Sequence, residues 1–417
     1  MKKPEILAPA GDFTCLQAAL QAGADAVYFG IGTFNMRSRA SVNFRAEDLP
    51  EIARRCREAG VKAYLALNSI VFEGELDEIE RIVVAAKPHV DAFIVADWAV
   101  IDLCRRHGAT FHVSTQMSCS NSVAARFLRA QGASRVVLAR ECSLPEVAAI
   151  VRESGLEVEC FVHGAQCVAL SGRCMMSHDA FGCSANRGEC HQPCRRRFLV
   201  KAVDLYEDDR GNPVHESDTA FVVEPHTVLS AKDLCSLPFV DRLMAAGIAS
   251  FKIEGRARNA EYVKTVTRAY RRAVDAVAAG TFGPELVAEL TEAVKTVFHR
   301  EFSVGMYYGR PGADQFTDSE DSLATTVKRH VGIVIDYFLK AGIVQVKVQD
   351  HPIRLGDRLQ IHGPTTGVEE LTVDGLRRDD EVLSVAERGN WVTFRAPRCR
   401  VGDKVFFVES RPCQAGH

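Results

Sequence analysis

The first 260 residues repeat one alternation of hydrophobic and polar positions. A short apolar run rich in β-branched residues ends in a polar or glycine tip, and an amphipathic helical stretch follows. The runs are Ile6–Gly11, Ala26–Ile31, Val61–Leu67, Ala92–Ala96, Thr110–Ser114, Arg135–Ala139, Leu156–Val162 and Ala249–Ile253. Helical patterns such as Thr14–Gly23 and Leu49–Gly60 lie between them, most closing on a glycine just before the next strand. Eight such units in about 300 residues predict an α/β fold, a TIM (β/α)8 barrel whose active site belongs at the C-terminal strand ends. A doubly wound sheet would carry G-x-G-x-x-G after its first strand; this chain has Ala8-Pro-Ala-Gly-Asp12 instead.

One connection breaks the rhythm. Between the seventh and eighth runs lies an insertion, residues 164–248, far longer than an ordinary strand-to-helix connection. It includes a hairpin-like stretch, Phe198–Tyr206, with Asp208–Pro213 as its turn. After the eighth run the pattern predicts helices over Asn259–Gly280 and Glu285–His299. Residues 305–326, rich in glycine, aspartate and tyrosine, read as a linker. Alternating runs at 332–336, 344–348, 357–361, 391–394 and 404–408 then predict a small C-terminal β-barrel domain. The expected division is a barrel domain over 1–304, a linker over 305–326 and a β-domain over 327–412.

Composition fits a soluble globular protein: 417 residues, 47% hydrophobic and 25% charged. The net charge of −3 does not advertise a nucleic-acid binder, although a local patch can serve. Arg195, Arg196 and Arg197 form such a patch, with a solvated loop as the plainer reading. No apolar run approaches the roughly 20 residues that span a bilayer. The opening Met-Lys-Lys-Pro-Glu lacks a signal-peptide pattern. A cytoplasmic location is expected, where thiols stay reduced.

The cysteines change the picture most. Cys167, Cys174, Cys183, Cys190 and Cys194, five of fourteen, fall in one glycine-rich part of the insertion, and Cys235 follows later. Their gaps of six, eight, six and three residues do not make zinc knuckles. Wide, irregular spacing suits an iron–sulfur cluster held by separate turns of a loop. On spacing alone zinc and reactive free thiols stay open.

Polar residues at the strand tips supply further candidates. Asn68, Gln116 and His163 could hydrogen-bond a base or a dicarboxylate. Arg37 and Arg39 could pair with carboxylate or phosphate, and Glu254 and Arg256 end the eighth strand. Any one of them could equally be a cap or a structural ion pair. As a set on one rim they favour an anionic ligand.

Glu159 to Ser177 resembles the signature of the peptidase U32 family, E-x-F-x-x-G-[SA]-[LIVM]-C-x4-G-x-C-x-[LIVM]-S, with Gln166 as the one departure. Supporting stretches are Leu7–Asp12, Phe34–Arg37, Ser184–Cys190, Lys232–Cys235 and Phe251–Arg256. No H-E-x-x-H helix or G-x-S-x-G elbow supports the protease label. The resemblance implies an enzyme, an oxygen-independent hydroxylase with a [4Fe–4S] cluster. By length it is most similar to the prephenate-dependent tRNA uridine(34) hydroxylase group, which would make 5-hydroxyuridine. Collagenase-like peptidase and hydroxylase of a small aromatic or quinone precursor are the alternatives. The resemblance further implies Cys167, Cys174, Cys190 and Cys235 as cluster ligands, with Cys194 in reserve. From their place at the strand tips His163, Arg37, Arg39, Asn68, Gln116, Glu254 and Arg256 are the expected catalytic set, and the arginine run Arg195–Arg197 the expected RNA contact. The implied partners are tRNA, a small dicarboxylate (prephenate as co-substrate) and an electron donor.

Overall fold

The computed structural model describes residues 2–38, 43–196, 198, 200–201, 205–207, 213–215, 220–221, 229–310, 312–317, 319 and 321–411. Seven strands, β1 (Glu5–Pro9), β2 (Ala26–Phe29), β3 (Lys62–Leu67), β4 (Ala92–Val95), β5 (Phe111–Val113), β6 (Arg135–Val137) and β7 (Glu157–Gly164), pair in parallel, each with the next. The eighth barrel strand, Ser250–Ile253, pairs with both β7 and β1 and closes the ring. This is the TIM-type barrel that the eight runs predict. Its strands are buried on both faces, β2 and β4 along their whole length, because the helices cover the outside.

Helices α1 (Phe13–Gln21), α2 (Leu49–Glu58), α3 (Leu76–Ala86), α4 (Trp98–Arg106), α5 (Ser122–Ala130) and α6 (Leu144–Ser154) follow the first six strands. In α2 the buried residues are Leu49, Ile52, Ala53 and Cys56, one stripe at helical spacing. Caps fix where the helices begin: Asp12 accepts from the Cys15 amide at 2.7 Å, and Asp97 from that of Ala99 at 2.8 Å.

Charged residues inside the apolar runs meet in the barrel interior. Buried Glu159 accepts from Lys252 Nζ at 2.8 Å and from Arg135 Nη1 at 3.2 Å, and Arg135 also reaches Glu5 at 2.6 Å. Buried charges need such partners. The glutamate of the signature is thus a structural anion of the barrel interior.

The insertion leaves β7, forms the short helix α7 (Met176–Phe181) and returns through Asp233–Cys235, antiparallel to the end of β7. Helix α8 (Val240–Ala245) then leads into the eighth strand, and α9 (Ala260–Ala279) and α10 (Pro284–Lys295) follow it. Described residues of the 305–326 stretch touch the barrel and its insertion: buried Tyr307 donates to the Phe161 carbonyl at 2.6 Å, and Phe316 bridges to Ala231.

The C-terminal domain is an eight-stranded antiparallel sheet around its own apolar core, including Val334, Val346, Ile361 and Phe394. Its strands Gly367–Thr372, Leu376–Arg378 and Glu381–Leu383 have no apolar run to announce them, because they are short or carry charged residues, Glu369, Glu370, Arg377, Arg378 and Glu381. It docks on α1 and α9: Gln21 donates to the Thr366 carbonyl at 2.8 Å, and Lys328 pairs with Glu261 at 2.6 Å. No helix among the described residues is long and apolar enough to cross a membrane.

Candidate active site and cysteine-lined cavity

A cavity of about 170 Å³ opens at the C-terminal ends of the barrel strands, roofed by the insertion. Its inner wall is aromatic and apolar: Tyr28, Ala66, Ile94 and Phe161. Its outer wall carries Cys167, Cys174, Cys190 and Cys194. Four thiols separated along the sequence therefore share one small space.

Side chains on the barrel and its loops hold that wall in place. Arg140 Nη1 donates to the Ala165 carbonyl at 2.8 Å, Arg195 Nη2 to that of Gln166 at 2.6 Å, and the Cys174 amide to Asn186 Oδ1 at 2.9 Å. Gln166, the departure from the family pattern, donates to Ser303 Oγ at 2.8 Å and to the Lys232 carbonyl at 3.2 Å. An aliphatic residue could make neither bond. Gly172 adopts φ +73°, and a Cβ there would lie 2.3 Å from Gln116 Oε1, so only glycine lets the roof rest on the barrel.

The thiols feel one another. Burial pushes the Cys194 thiol up, Arg195 opposes that shift, and the charges of Cys167, Cys190 and Cys174 add to it. Among the described residues no three His, Cys, Asp or Glu side chains stand in the array a single ion needs, with bonds of about 2.3 Å from each sulfur to zinc. A cluster differs in giving each thiolate its own iron, which suits four thiols spread around a cavity wall.

Cations dominate the rest of the lining. Arg37 pairs with Glu254 at 2.8 Å, which raises the guanidinium's pKa further. Burial would push the Glu254 carboxyl up, but Arg37, Arg258 and Arg140 hold it below the usual range. Buried Arg256 donates to Asn35 Oδ1 at 3.0 Å, and burial brings it down to about 10. Arg140 lies 4.0 Å from the Phe161 ring centroid and Lys252 4.6 Å from that of Tyr28. Asn68 accepts from the Met36 amide at 3.3 Å and donates to Ser114 Oγ at 3.0 Å. Buried Gln116 Oε1 has no hydrogen-bond partner.

The structure thus brings Arg37, Asn68, Gln116, Glu254 and Arg256 to one cavity, together with Cys167, Cys174 and Cys190. Cys194, the reserve ligand, lines the same cavity, and Cys235 does not. Cys235 is buried in the short strand behind the wall, and burial pushes its thiol up to about 11. His163 also needs correcting. Phe161 and Lys252 are register partners facing the cavity, but a bulge follows and His163 pairs with Ile253. The bulge turns the imidazole outward. There it sits 3.3 Å from Tyr270 Oη, and burial brings it down to about 3.

Arg195, expected at an RNA contact, lies inside the insertion. It is buried and hydrogen-bonds Gln166, Ser230 and Ala231, so it braces the loop. Arg196 is exposed, its guanidinium 5.0 Å from the Phe181 ring centroid. Arg39 and Arg197 lie outside the described residues. Sequence reading missed Arg140 and Lys252. Arg140 directly follows the sixth apolar run, at a strand tip, and Lys252 is the one charge within the eighth run.

The family model of peptidase family U32 matches residues 11–317. A Porphyromonas gingivalis protein named "Collagenase" is 37% identical, covering 98% of each chain. The "tRNA hydroxylation protein P1" of Bacillus subtilis is 35% identical over 91% of this chain and 88% of its own. The Escherichia coli "23S rRNA 5-hydroxycytidine C2501 synthase" is 37% identical over 66% of this chain and 39% of its own.

Proposed function

The chain belongs to peptidase family U32, and from that premise we propose that it is an RNA hydroxylase carrying a [4Fe–4S] cluster. The reading extends to tRNA as substrate, 5-hydroxyuridine at position 34 as product and prephenate as required metabolite. The observation that carries it is the gathering of four thiols, Cys167, Cys174, Cys190 and Cys194, at a cation-lined cavity in a relative of RNA-hydroxylating proteins. The place of action would be the cytoplasm, where tRNA and an electron donor meet.

Those four cysteines would hold the cluster. When bound it supplies one-electron transfer, at a potential set by hydrogen bonding and exposure around its sulfurs. The protein's own residues do the rest. Arg37, Arg140 and Arg256 face the cavity with Glu254 as the one carboxylate in its lining among the described residues, so the pocket attracts an anion such as a dicarboxylate. Tyr28 and Phe161 offer apolar faces to a ring. Gln116 brings an amide with an unpartnered oxygen, suited to the hydrogen-bonding edge of a base. A nucleotide must leave its stack to enter so narrow a space.

Peptide hydrolysis is the second reading, favoured by the relative named "Collagenase". A thiol protease needs an imidazole beside its nucleophile, and among the described residues no histidine lines this cavity. A salt-sensitive gel shift with tRNA, together with iron and sulfide analysis of anaerobically purified protein, tests the proposal. Metal-free protein that cleaves peptides and ignores tRNA would replace it with the second reading.

A further inference from the structure

Exposed aromatic side chains gather beside the cavity mouth, on the flank of the barrel away from the C-terminal domain. That domain packs on α1 and α9, beside β1 and the eighth strand, whereas α4 and α5 follow β4 and β5 across the ring. Trp98 opens α4 and is 52% exposed; Phe127 on α5 is 56% exposed, and their rings meet edge to face at 6.2 Å. Val123, also exposed, lies one turn before Phe127 on the same helix. Such clustered apolar exposure on a soluble surface points to a partner.

The patch is continuous with the active site. Asp97 accepts from the Val71 amide at 3.0 Å as well as from that of Ala99, which brings the loop bearing exposed Phe72 to the start of α4. Arg187 stacks on Phe72, 4.5 Å from its centroid. Ile70 and Asp97 line a second cavity, which shares Asn68, Gln116 and Gly172 with the main one. A chain entering the main cavity would leave it across this surface.

Its charge suits a polyanion. From Leu103 to Arg140 the sequence has no aspartate or glutamate but six arginines, of which Arg105, Arg106, Arg126 and Arg129 are exposed on α4 and α5. Arg126 and Arg129 are both exposed on α5, and Arg126 Nη1 donates to the backbone carbonyl of Glu153 at 3.3 Å. Aromatic faces beside exposed cations make the combination that binds single-stranded nucleic acid without regard to sequence, bases on rings and phosphates on arginines.

We propose that Trp98, Phe127 and Phe72, with Arg126 and Arg129, hold the unpaired RNA nucleotides flanking the one that enters the cavity. The proposal rests on the RNA-hydroxylase reading and places the RNA on the α4–α5 flank, not on the C-terminal domain. A second copy of this chain is the competing occupant.

The chain has only two tryptophans, Trp98 and Trp391, so the W391F variant leaves Trp98 as the sole indole reporter. Titration of that full-length variant with an anticodon stem-loop RNA should quench its fluorescence, and salt should reverse the effect. A W98L/F127L variant should bind the RNA at least tenfold more weakly, since each lost stack is worth about tenfold, with iron and sulfide content unchanged. RNA that binds and is modified while Trp98 fluorescence stays constant and W98L/F127L binds normally would overturn the surface and spare the function. A W98L/F127L change in self-association with unchanged RNA affinity would also overturn it, in favour of the second copy. If no RNA binds the wild type under any salt condition, the RNA-hydroxylase reading falls, and this inference with it.

Discussion

Arg195 donates to the carbonyl oxygen of Gln166 at 2.6 Å. The bond joins the neighbour of Cys194 to the neighbour of Cys167, so one guanidinium fixes the separation of two thiols that are distant in sequence. The same side chain also hydrogen-bonds Ser230 and Ala231, anchoring both segments to the rest of the insertion. Preorganised ligands are the condition for loading a cluster without reordering a loop.

Replacing that brace should therefore act on the cofactor. Arg195→Gln should lower iron and sulfide per chain at least severalfold while leaving the salt dependence of RNA binding as it was. An RNA contact would behave the opposite way, reducing the salt slope by about one with iron content intact. The two readouts separate the roles.

Cys194→Ala and Cys235→Ala should diverge. The first removes a thiol from the cavity wall and should abolish the cluster's visible absorption. The second removes a buried sulfur behind the wall and should cost about 1–2 kcal/mol of stability with the absorption retained. Loss of the spectrum in Cys235→Ala, with Cys194→Ala unaffected, would reverse the assignment.

Gly172→Ala tests the contact between roof and barrel. The positive φ alone should cost about 1–3 kcal/mol, and the added methyl cannot coexist with Gln116 in its present position. Thermal unfolding should show the loss, and activity should fall more steeply than stability because Cys174 lies two residues away. A Gly172→Ala protein of wild-type stability and activity would show that the roof does not rest on Gln116.

His163 predicts an acid-sensitive barrel. Its folded pKa, down to about 3 through burial, lies below an unfolded value of about 6.5. The unfolded chain therefore binds the proton first as pH falls. The stability this residue contributes is complete above pH 6.5 and is lost on the way down to 3, by up to about 1.4 kcal/mol per pH unit. Urea unfolding at pH 7.5 and pH 5 should differ by about 2 kcal/mol more in wild type than in His163→Phe. An identical acid loss in both proteins would contradict the burial assigned to this imidazole.

Much of the architecture was legible because a parallel barrel buries both faces of each strand, which leaves eight compact apolar runs in the sequence. The cavity residues at Arg37, Asn68, Gln116, Glu254 and Arg256 were legible for a related reason: strand tips point to the catalytic face whatever the chemistry. Local backbone detail was not. A single bulge between the β7 partners of Lys252 and Ile253 turns His163 from the cavity to the helices, and no residue pattern announces it. Which of Cys194 and Cys235 stands at the cavity depends on how a long loop folds back, which apolar periodicity does not encode. Arg195 looked like part of a basic surface patch, yet three carbonyl and hydroxyl acceptors draw it inward.

The most direct test of the central claim is mass spectrometry of tRNA nucleosides after incubation with anaerobically purified protein, a reductant and prephenate. The account predicts one added oxygen, 16 mass units (about the mass of one oxygen atom), on a uridine at position 34, absent with Cys174→Ala. Unmodified tRNA from cluster-loaded, RNA-binding protein would contradict it.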